Sequence, residues 1–305
     1  MKYIKGFNTD MTADGKSKIF AYKPYEEYSC SEVQVNYSGY HACERPLDAF
    51  AYHPPASSVF YRVELGDRIK YNTRKDDTLV ASNGLIIEKK LNLYDLMQVE
   101  KKYAKDHGNL IHSQILGNLY DRYLETDTYA KNRSLHVGDS SVLYTGFNCH
   151  AIAGNNSIVY AYSNSLACAG KNSVARTERY GISIVGKGGV AVSYNDGISI
   201  AQGAEAAAVA GKDGVVIGTK YSKVGESGVI VIRDFCDDDM YVMAGLNSVI
   251  VFAFIPKTKT LTIDGEKYKA NTLYKVVLKD GNYTLEEEKD KSILETFAFT
   301  VDIHS

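Results

Sequence analysis

The residues with the clearest potential for chemistry are concentrated in the first third of the chain. Two of them, His41 and Cys43, are separated by one residue, so both side chains would lie on the same face of a β-strand. A thiol beside an imidazole can act as a nucleophile with its base, and both groups are metal ligands. Other polar side chains follow closely: Glu44, Arg45, Asp48, His53, Arg62 and Glu64.

Three interpretations of His41 and Cys43 compete. A metal site needs a third and a fourth ligand, which the surrounding sequence does not clearly supply. A nucleophilic pair needs the imidazole to approach the sulfur, whereas side chains two apart on one strand point side by side. The favoured interpretation is a buried histidine and a small core cysteine at a strand-to-helix corner. We therefore predict no cofactor and no metal, and the weak catalytic candidates are His41, Asp48, His53, Arg62 and Glu64.

Residues 1–92 are not repetitive and predict a small α+β domain. Its strand-like stretches are YIKGFN, SEVQVNYSGYHAC, FYRVELG and NGLIIEKKL, and ERPLDAFAYHPP predicts a short helix that ends at two prolines. Residues 93–133 predict a helical cap or linker. Within it Leu96, Val99 and Tyr103 share one helical face, and residues 106–109 predict a break before a second apolar face at Ile111, Ile115, Leu119 and Tyr123.

Beyond residue 134 the chain repeats a phrase of eight residues. Ten octads follow one another: GDSSVLYT, GFNCHAIA, GNNSIVYA, YSNSLACA, GKNSVART, ERYGISIV, GKGGVAVS, YNDGISIA and, after one inserted residue at Gln202, GAEAAAVA and GKDGVVIG. The first position is usually glycine, the fourth is small, and the fifth and seventh are mostly apolar. A helix is excluded, because a glycine in every octad would cost about 1 kcal/mol each and the apolar spacing is two.

One short strand and one sharp turn in every eight residues are typical of a β-solenoid. The predicted fold class is therefore mainly β, with a parallel β-solenoid (a β-helix or β-roll) over residues 134–232. The fifth and seventh side chains would line up in one inner column, and the small fourth residue would lie where backbones approach closely at a corner. The octad pattern leaves open the handedness and whether two or three octads form one coil.

Residues 233–305 predict a C-terminal β cap that closes the solenoid. Asp-Gly pairs within TIDGEKY and VVLKDGNYTL lie between alternating residues, which is a strong hairpin signal. The acidic residues 237–239 could bind calcium, but they lack the spaced ligands of a calcium loop, and a solvated turn is favoured.

Composition limits the compartment and the partners. The net charge of −2 predicts no attraction to nucleic acid or to an anionic membrane. Five widely spaced cysteines predict reduced thiols. The start MKYIKGFNTDM does not look like a secretory signal, and the apolar run VIVFAFI is too short to span a bilayer. We expect a soluble, cytoplasmic protein, located in the host cell if the gene is viral.

Three segments of the chain resemble a family of uncharacterised phage and prophage proteins. The segments are the opening KGFNTDM, the stretch SGYHACERPLDAFAYHPPASSVFYRVEL and the closing LTIDGEKYKANTLYKVVLKDGNYTLEE, with octads between them. The octads here are less alanine-rich than is usual in that family, and His53 stands where an aromatic is common. The resemblance implies the fold and a phage origin, and it implies no reaction.

Two hypotheses about function follow. The first is a non-enzymatic phage-type protein whose rigid solenoid is a platform for a protein partner or for self-association; by fold-level analogy with trimeric adhesin heads, one form of self-association is a trimer. The alternative is an enzyme with an N-terminal domain similar to ADP-ribosyltransferases, in which Glu64 is the nearest match to the required glutamate.

Overall fold

The computed structural model describes residues 3–14, 19–56, 58–73, 78–111, 134–218, 220–233, 239–253, 258–279 and 282–301. The structure is mainly β. Its described residues divide into two compact units, one formed by residues 3–111 and the other by residues 134–301. None of the helices in these ranges is long and apolar enough to cross a membrane.

The first unit is built on a seven-stranded sheet with the strand order β4-β9-β6-β1-β5-β8-β7. A separate hairpin is formed by β2 and β3. The elements of this unit are β1 (Tyr3–Asn8), β2 (Thr12–Asp14), β3 (Ile19–Ala21), β4 (Glu27–Ser29), β5 (Tyr40–Cys43), α1 (Pro46–Tyr52), β6 (Ser58–Leu65), β7 (Ile69–Tyr71), β8 (Leu79–Ser82), β9 (Gly84–Leu91) and α2 (Leu93–Ile111). Every described pairing in the sheet is antiparallel.

The first helix of this unit lies within the stretch predicted to be helical, and the second starts at the predicted residue, Leu93. Pro46 begins α1, where its missing N–H costs nothing, and the helix ends before Pro54. The predicted break at residues 106–109 is wrong, since α2 continues to Ile111; one helical glycine costs only about 1 kcal/mol. The second half of the predicted helical cap, residues 112–133, lies outside the described residues.

The long predicted strand SEVQVNYSGYHAC is only partly confirmed. Its last four residues form β5, whereas the preceding stretch turns back on itself through a bridge between Gln34 and Ser38. Asn36 and Gly39 have positive φ angles of 66° and 92°, which a strand does not accommodate.

The second unit is a parallel β-solenoid with two strands in each coil. Solenoid sheet 1 contains β10 (Ser134–His136), β12 (His150–Ile152), β14 (Leu166–Ala169), β16 (Ile182–Val185), β18 (Ile198–Ala201), β20 (Val215–Gly218), β22 (Val229–Ile232), β24 (Val249–Ala253) and β25 (Thr258–Thr262). Solenoid sheet 2 contains β11 (Val142–Thr145), β13 (Ile158–Ala161), β15 (Val174–Thr177), β17 (Val190–Ser193), β19 (Ala207–Ala210), β21 (Tyr221–Val224), β23 (Tyr241–Ala244), β26 (Leu273–Lys279) and β27 (Asn282–Glu287).

The predicted solenoid is confirmed, and two octads form one coil. Val174 pairs with Ile158 and with Val190, sixteen residues away in each direction. The solenoid makes about 7 turns across residues 135–252. Successive octads therefore alternate between the two sheets.

The predicted inner column of fifth and seventh residues is wrong. The sixth and eighth residues face inward, as shown by hydroxyl contacts between the sheets: Thr177 Oγ1 lies 3.0 Å from Ser183 Oγ, and Ser193 Oγ lies 2.8 Å from Ser199 Oγ. The interior residues are mostly Ala, Ser, Thr and Val, which are small enough for a thin core. The larger aliphatic residues at the fifth and seventh positions point outward on both sheets.

The geometry of the corners explains two other recurring features of the octad, the small fourth residue and the frequent Asn or Asp at the third. A Cβ on Gly189, at the fourth position, would lie 2.8 Å from the carbonyl oxygen of Ser173, so the close approach predicted there is confirmed. The left-handed residue is the third of each octad, for example Asn164 with a φ of 57° and Asp196 with a φ of 59°. Asn and Asp tolerate this conformation better than most residues.

The solenoid continues beyond the predicted end at residue 232. The corner before β21 is only two residues long, which hides the octad that begins at Gly225. Eight residues separate β22 from β23 along the chain, and this longer spacing hides the last coil, formed by β23 and β24. Of the acidic residues 237–239, residues 237 and 238 lie outside the described residues.

The C-terminal end is closed by antiparallel strands. β25 pairs with β24, and the predicted hairpin of β26 and β27 pairs with β23. The hairpin predicted at TIDGEKY is wrong, because β25 and β26 belong to different sheets. A helix that the sequence analysis missed, α3 (Lys291–Val301), packs on the outer face of solenoid sheet 2, where the rings of Phe297 and Tyr221 are 5.9 Å apart.

Candidate functional site

The two residues with potential nucleophile chemistry lie on β5. His41 Nε2 accepts a hydrogen bond from the backbone N–H of Asn36 at 2.9 Å, which holds the turn before the strand. Burial lowers the pKa of the His41 imidazole, and the Lys5 ammonium adds to this effect. Cys43 is buried and opposite Ile4 of β1. Both residues lie on one strand, as the sequence predicts; Cys43 is a buried core residue, whereas His41 is only half-buried.

His53 follows the C-terminus of α1 and packs directly on β1. A Cβ on Gly6 would lie only 2.6 Å from His53 Cβ, so glycine at residue 6 makes room for the imidazole. Burial lowers the pKa of His53 to about 4, with a further contribution from Lys5. The imidazole is therefore neutral at pH 7 and packs against the backbone of β1 at Gly6.

The other catalytic candidates bind separate partners. The carboxylate of Asp48 accepts hydrogen bonds from Thr78, at 2.9 Å from its N–H and 2.6 Å from its hydroxyl. Arg62 Nε lies 2.8 Å from a carboxylate oxygen of Glu88, whereas Glu64 is exposed further along β6. No group of three His, Cys, Asp or Glu side chains suited to a metal ion occurs among the residues with described positions.

A buried ion pair that the sequence analysis did not single out joins the two helices. Arg45 Nε lies 2.6 Å from Glu100 Oε1, and Glu100 Oε2 accepts a hydrogen bond from the backbone N–H of Leu47. Burial raises the pKa of the Glu100 carboxyl, and the Arg45 charge opposes this shift. The pair fixes the start of α1 against α2.

Lys5 is the second charged residue in this unit that the sequence analysis missed. Its side chain on β1 is only 8% exposed, and Nζ donates a hydrogen bond to the carbonyl oxygen of His41 at 2.9 Å. The ammonium lies 5.2 Å from the ring centre of Phe7 and 5.5 Å from that of Tyr22. Burial lowers the pKa of Lys5 to about 8. The alternation of Tyr3, Lys5 and Phe7 along β1 is the sequence pattern that could have indicated the burial of Lys5.

The outer face of solenoid sheet 1 is a flat apolar surface, which we call the aliphatic face. Strand pairing places its side chains in two columns that run from coil to coil. The first column is Leu166, Ile182, Ile198, Val215, Val229 and Val249, and the second is Cys168, Ile184, Ile200, Ile217, Val231 and Val251. These side chains are half-buried, and Ile182 is 36% exposed.

The outer face of solenoid sheet 2 differs from the aliphatic face in being largely buried. Val190 and Val192 have no exposed surface, and Tyr221 lies under α3. The fifth and seventh octad residues are therefore largely buried on solenoid sheet 2 and partly accessible on solenoid sheet 1.

One long edge of the solenoid, where the chain passes from sheet 2 to sheet 1, has aromatic side chains at four successive corners. We call this the aromatic edge: Phe147, Tyr162, Tyr180 and Tyr194. The corners are stacked in register, since the N–H of each third octad residue bonds to the next coil, as from Asn148 to Ser163 and from Asn164 to Arg179.

Two arginines support the aromatic edge. The guanidinium of Arg176 contacts both Tyr160 and Tyr194, 5.2 Å and 5.0 Å from the two ring centres. It also donates a hydrogen bond to the Tyr194 hydroxyl. Arg179 lies 4.9 Å from the ring centre of Tyr180 and pairs with Asp196 at 2.9 Å.

Comparisons with known proteins cover the first unit alone. A family model described as a domain of unknown function (DUF7666) matches residues 1–99. No curated protein matches the chain, and no solved structure does. Residues 1–99, which contain the seven-stranded sheet, α1 and the beginning of α2, are thus similar to a family whose function is not known.

Proposed function

We propose that this protein is a non-enzymatic binding protein of the phage or prophage type, whose β-solenoid is a rigid platform that associates with a second copy of the chain. The observation that carries the proposal is the aliphatic face. Exposed apolar surfaces with polar surroundings are typical of interaction sites.

The composition of the aliphatic face favours another copy as its partner. Both columns are free of charged residues from Leu166 to Val251, so two copies would meet without repulsion or burial of unpaired charge. Beyond the last coil, exposed threonines on β25 provide a polar end. Sheets with such aliphatic faces stack about 10 Å apart with interdigitated side chains.

The size of the aliphatic face predicts the strength of the association. Six strands at a spacing of about 4.8 Å give a length of about 24 Å, and the two columns give a width of about 10 Å. This is smaller than a standard interface of about 800 Å² per partner. We therefore expect a weak, concentration-dependent dimer or trimer rather than a permanent oligomer.

Light scattering after gel filtration, at loading concentrations from about 1 to 200 μM, tests the proposal. The wild-type mass should rise above 33.7 kDa with concentration. Ile184→Lys, on the second of the six strands of the face, should remain a monomer because its charge would be buried without a partner. The matched control is Leu246→Lys, an exposed apolar residue at a solenoid corner, which should associate like the wild type.

Either of two results would contradict self-association. One is a wild-type protein that stays monomeric over the whole concentration range. The other is an Ile184→Lys variant that associates as well as the wild type while its circular dichroism shows an intact fold.

The phage or prophage context is proposed from the sequence resemblance, with the protein located inside the host cell. A pull-down from host lysate with the wild type and with Ile184→Lys tests whether a host protein competes for the aliphatic face. A host protein captured equally by both would place its binding site elsewhere on the chain.

The enzymatic alternative is not supported by a specific observation. The candidates His41, Asp48 and Arg62 each hydrogen-bond to a different part of the first unit, and Glu64 is exposed. A thermal-shift measurement with NAD is the direct test, since an ADP-ribosyltransferase-like domain would be stabilised by its cosubstrate.

A further inference from the structure

The aromatic edge contains both exposed and half-buried rings. Phe147 is 45% exposed and Tyr180 is 53% exposed, while Tyr162 and Tyr194 are half-buried. Phe147 contacts Tyr162, with ring centres 5.2 Å apart. The exposed rings of Phe147 and Tyr180 lie at corners of the same edge two coils apart, so the aromatic edge is more than a single exposed residue, which would need no explanation.

Arginine contacts restrain two of the four rings. The Arg176 guanidinium, itself 6% exposed, lies 5.0 Å from the ring centre of Tyr194 and donates a hydrogen bond to its hydroxyl, so it holds that ring in place. The pair of Arg179 with Asp196 holds the cation over Tyr180. Side chains fixed in this way lose little conformational entropy when they bind a ligand.

The charges of the edge point to a neutral ligand. Arg176 lies 3.6 Å from Glu178, and Arg179 is paired with Asp196. Both cations are thus compensated within the edge, which argues against a phosphate backbone as the partner. The exposed residues beside the rings, Asn148 and Asn164, offer neutral donors and acceptors.

The spacing points to a ligand that itself repeats. Four aromatic corners span three coil steps, or about 14 Å at about 4.8 Å per coil. An extended β-1,4-linked glycan advances by nearly the same distance per sugar residue, and each sugar offers an apolar C–H face and hydroxyl edges. Aromatic rings match the faces, and the neighbouring amides match the hydroxyls.

We propose that the aromatic edge is a binding site for a neutral, extended β-linked glycan, with three to four sugar residues lying along the solenoid axis. This inference is independent of self-association, because the aromatic edge and the aliphatic face share no residue. The same titration on the monomeric Ile184→Lys variant keeps the two proposals distinguishable.

Calorimetric titration with cellotetraose and with chitotetraose, up to about 10 mM, tests the inference. At least one of them should bind the wild type, the matching disaccharide should bind at least tenfold more weakly, and the curved maltotetraose should bind more weakly than the better of the two. A wild type that binds neither cellotetraose nor chitotetraose in this range overturns the proposal.

Variants locate the site. Phe147→Ala combined with Tyr180→Ala should weaken binding at least tenfold, whereas Tyr180→Phe, which keeps the ring, should bind within about twofold of the wild type. The control Leu246→Ala removes an exposed side chain from a later corner of the same edge and should bind normally. Equal losses in the control and in the double variant would overturn the assignment, as would unchanged binding in a double variant with an unaltered melting temperature.

Discussion

Replacement of Lys5 by methionine should make the protein more stable at neutral pH. The buried ammonium has one hydrogen bond, to the His41 carbonyl, and two aromatic neighbours, and none of the described ion pairs includes it. Its pKa is lowered from 10.5 to about 8. At 1.36 kcal/mol per pKa unit, the charged form is disfavoured in the fold by about 3 kcal/mol.

The sign of the pH dependence follows from the direction of this shift. Between about pH 8 and 10.5 the unfolded chain binds the Lys5 proton and the folded chain does not, so the stability of the wild type rises with pH in this window. Methionine has no such proton. The advantage of Lys5→Met over the wild type should therefore shrink by about 2 kcal/mol between pH 7 and pH 9.5.

At pH 7 the net gain is smaller than the full penalty. Methionine loses the hydrogen bond, worth about 1 kcal/mol, and the contact of the cation with the rings, worth about 1–2 kcal/mol. We expect Lys5→Met to be up to about 1 kcal/mol more stable than the wild type at pH 7, and less stable at pH 9.5.

Urea unfolding followed by circular dichroism at several pH values between 7 and 9.5 gives the difference between variant and wild type. Taking that difference removes the titration of groups that both proteins share. Lys70→Met, which makes the same change at an exposed lysine on β7, serves as the matched control. A Lys5→Met difference that stays constant over the window would refute the reasoning.

Three further predictions concern packing. Ala191→Leu should lower the unfolding free energy by about 1–3 kcal/mol in urea titration, because the thin solenoid interior has no room for a larger side chain; an unaffected protein would contradict the interior position of this residue. Ser199→Ala should lower the unfolding free energy by about 1–2 kcal/mol, because the Ser199 hydroxyl bonds to Ser193 and to the Val209 carbonyl. Ser222→Ala should be neutral or stabilising, because no partner is described for its buried hydroxyl. Equal effects of the two substitutions in thermal melts would argue against the hydroxyl pairing. Glu100→Ala should cost about 3–5 kcal/mol by leaving Arg45 buried without its partner, and a loss below about 1 kcal/mol in urea unfolding would show that the pair is dispensable.

The octads predict the solenoid and its corners, because glycine and asparagine spacing depends on local backbone geometry. They do not predict which face is inside. Alternation shows that Ile198 and Ile200 share a face, but both faces of each strand are apolar or small, and the larger residues were assigned to the core by the usual preference. The thin interior reverses that preference, because only residues such as Ala191 and Ser199 fit between the sheets.

Other features were missed for different reasons. The octad that begins at Gly225 follows a corner shortened by two residues, so a search at fixed period loses it. Helix α3 does have a local signal, since Asp290 accepts hydrogen bonds from the N–H groups of Ser292 and Ile293 in the manner of an N-cap. The burial of Lys5 depends on long-range packing around Phe7 and Tyr22, which single-strand patterns do not contain.

Because two strands form each coil, the solenoid can gain or lose octads only in pairs without moving later strands to the other sheet. Duplication or deletion of sixteen residues would lengthen or shorten the rod by one step and leave every downstream strand in its original sheet. A change of eight residues would transfer all later strands to the opposite sheet, so the docking position of α3 and the accessible apolar columns would exchange sides. Natural length variants of this rod should therefore differ by whole coils, whereas insertions confined to a loop, such as the one between β22 and β23, are free to take any size.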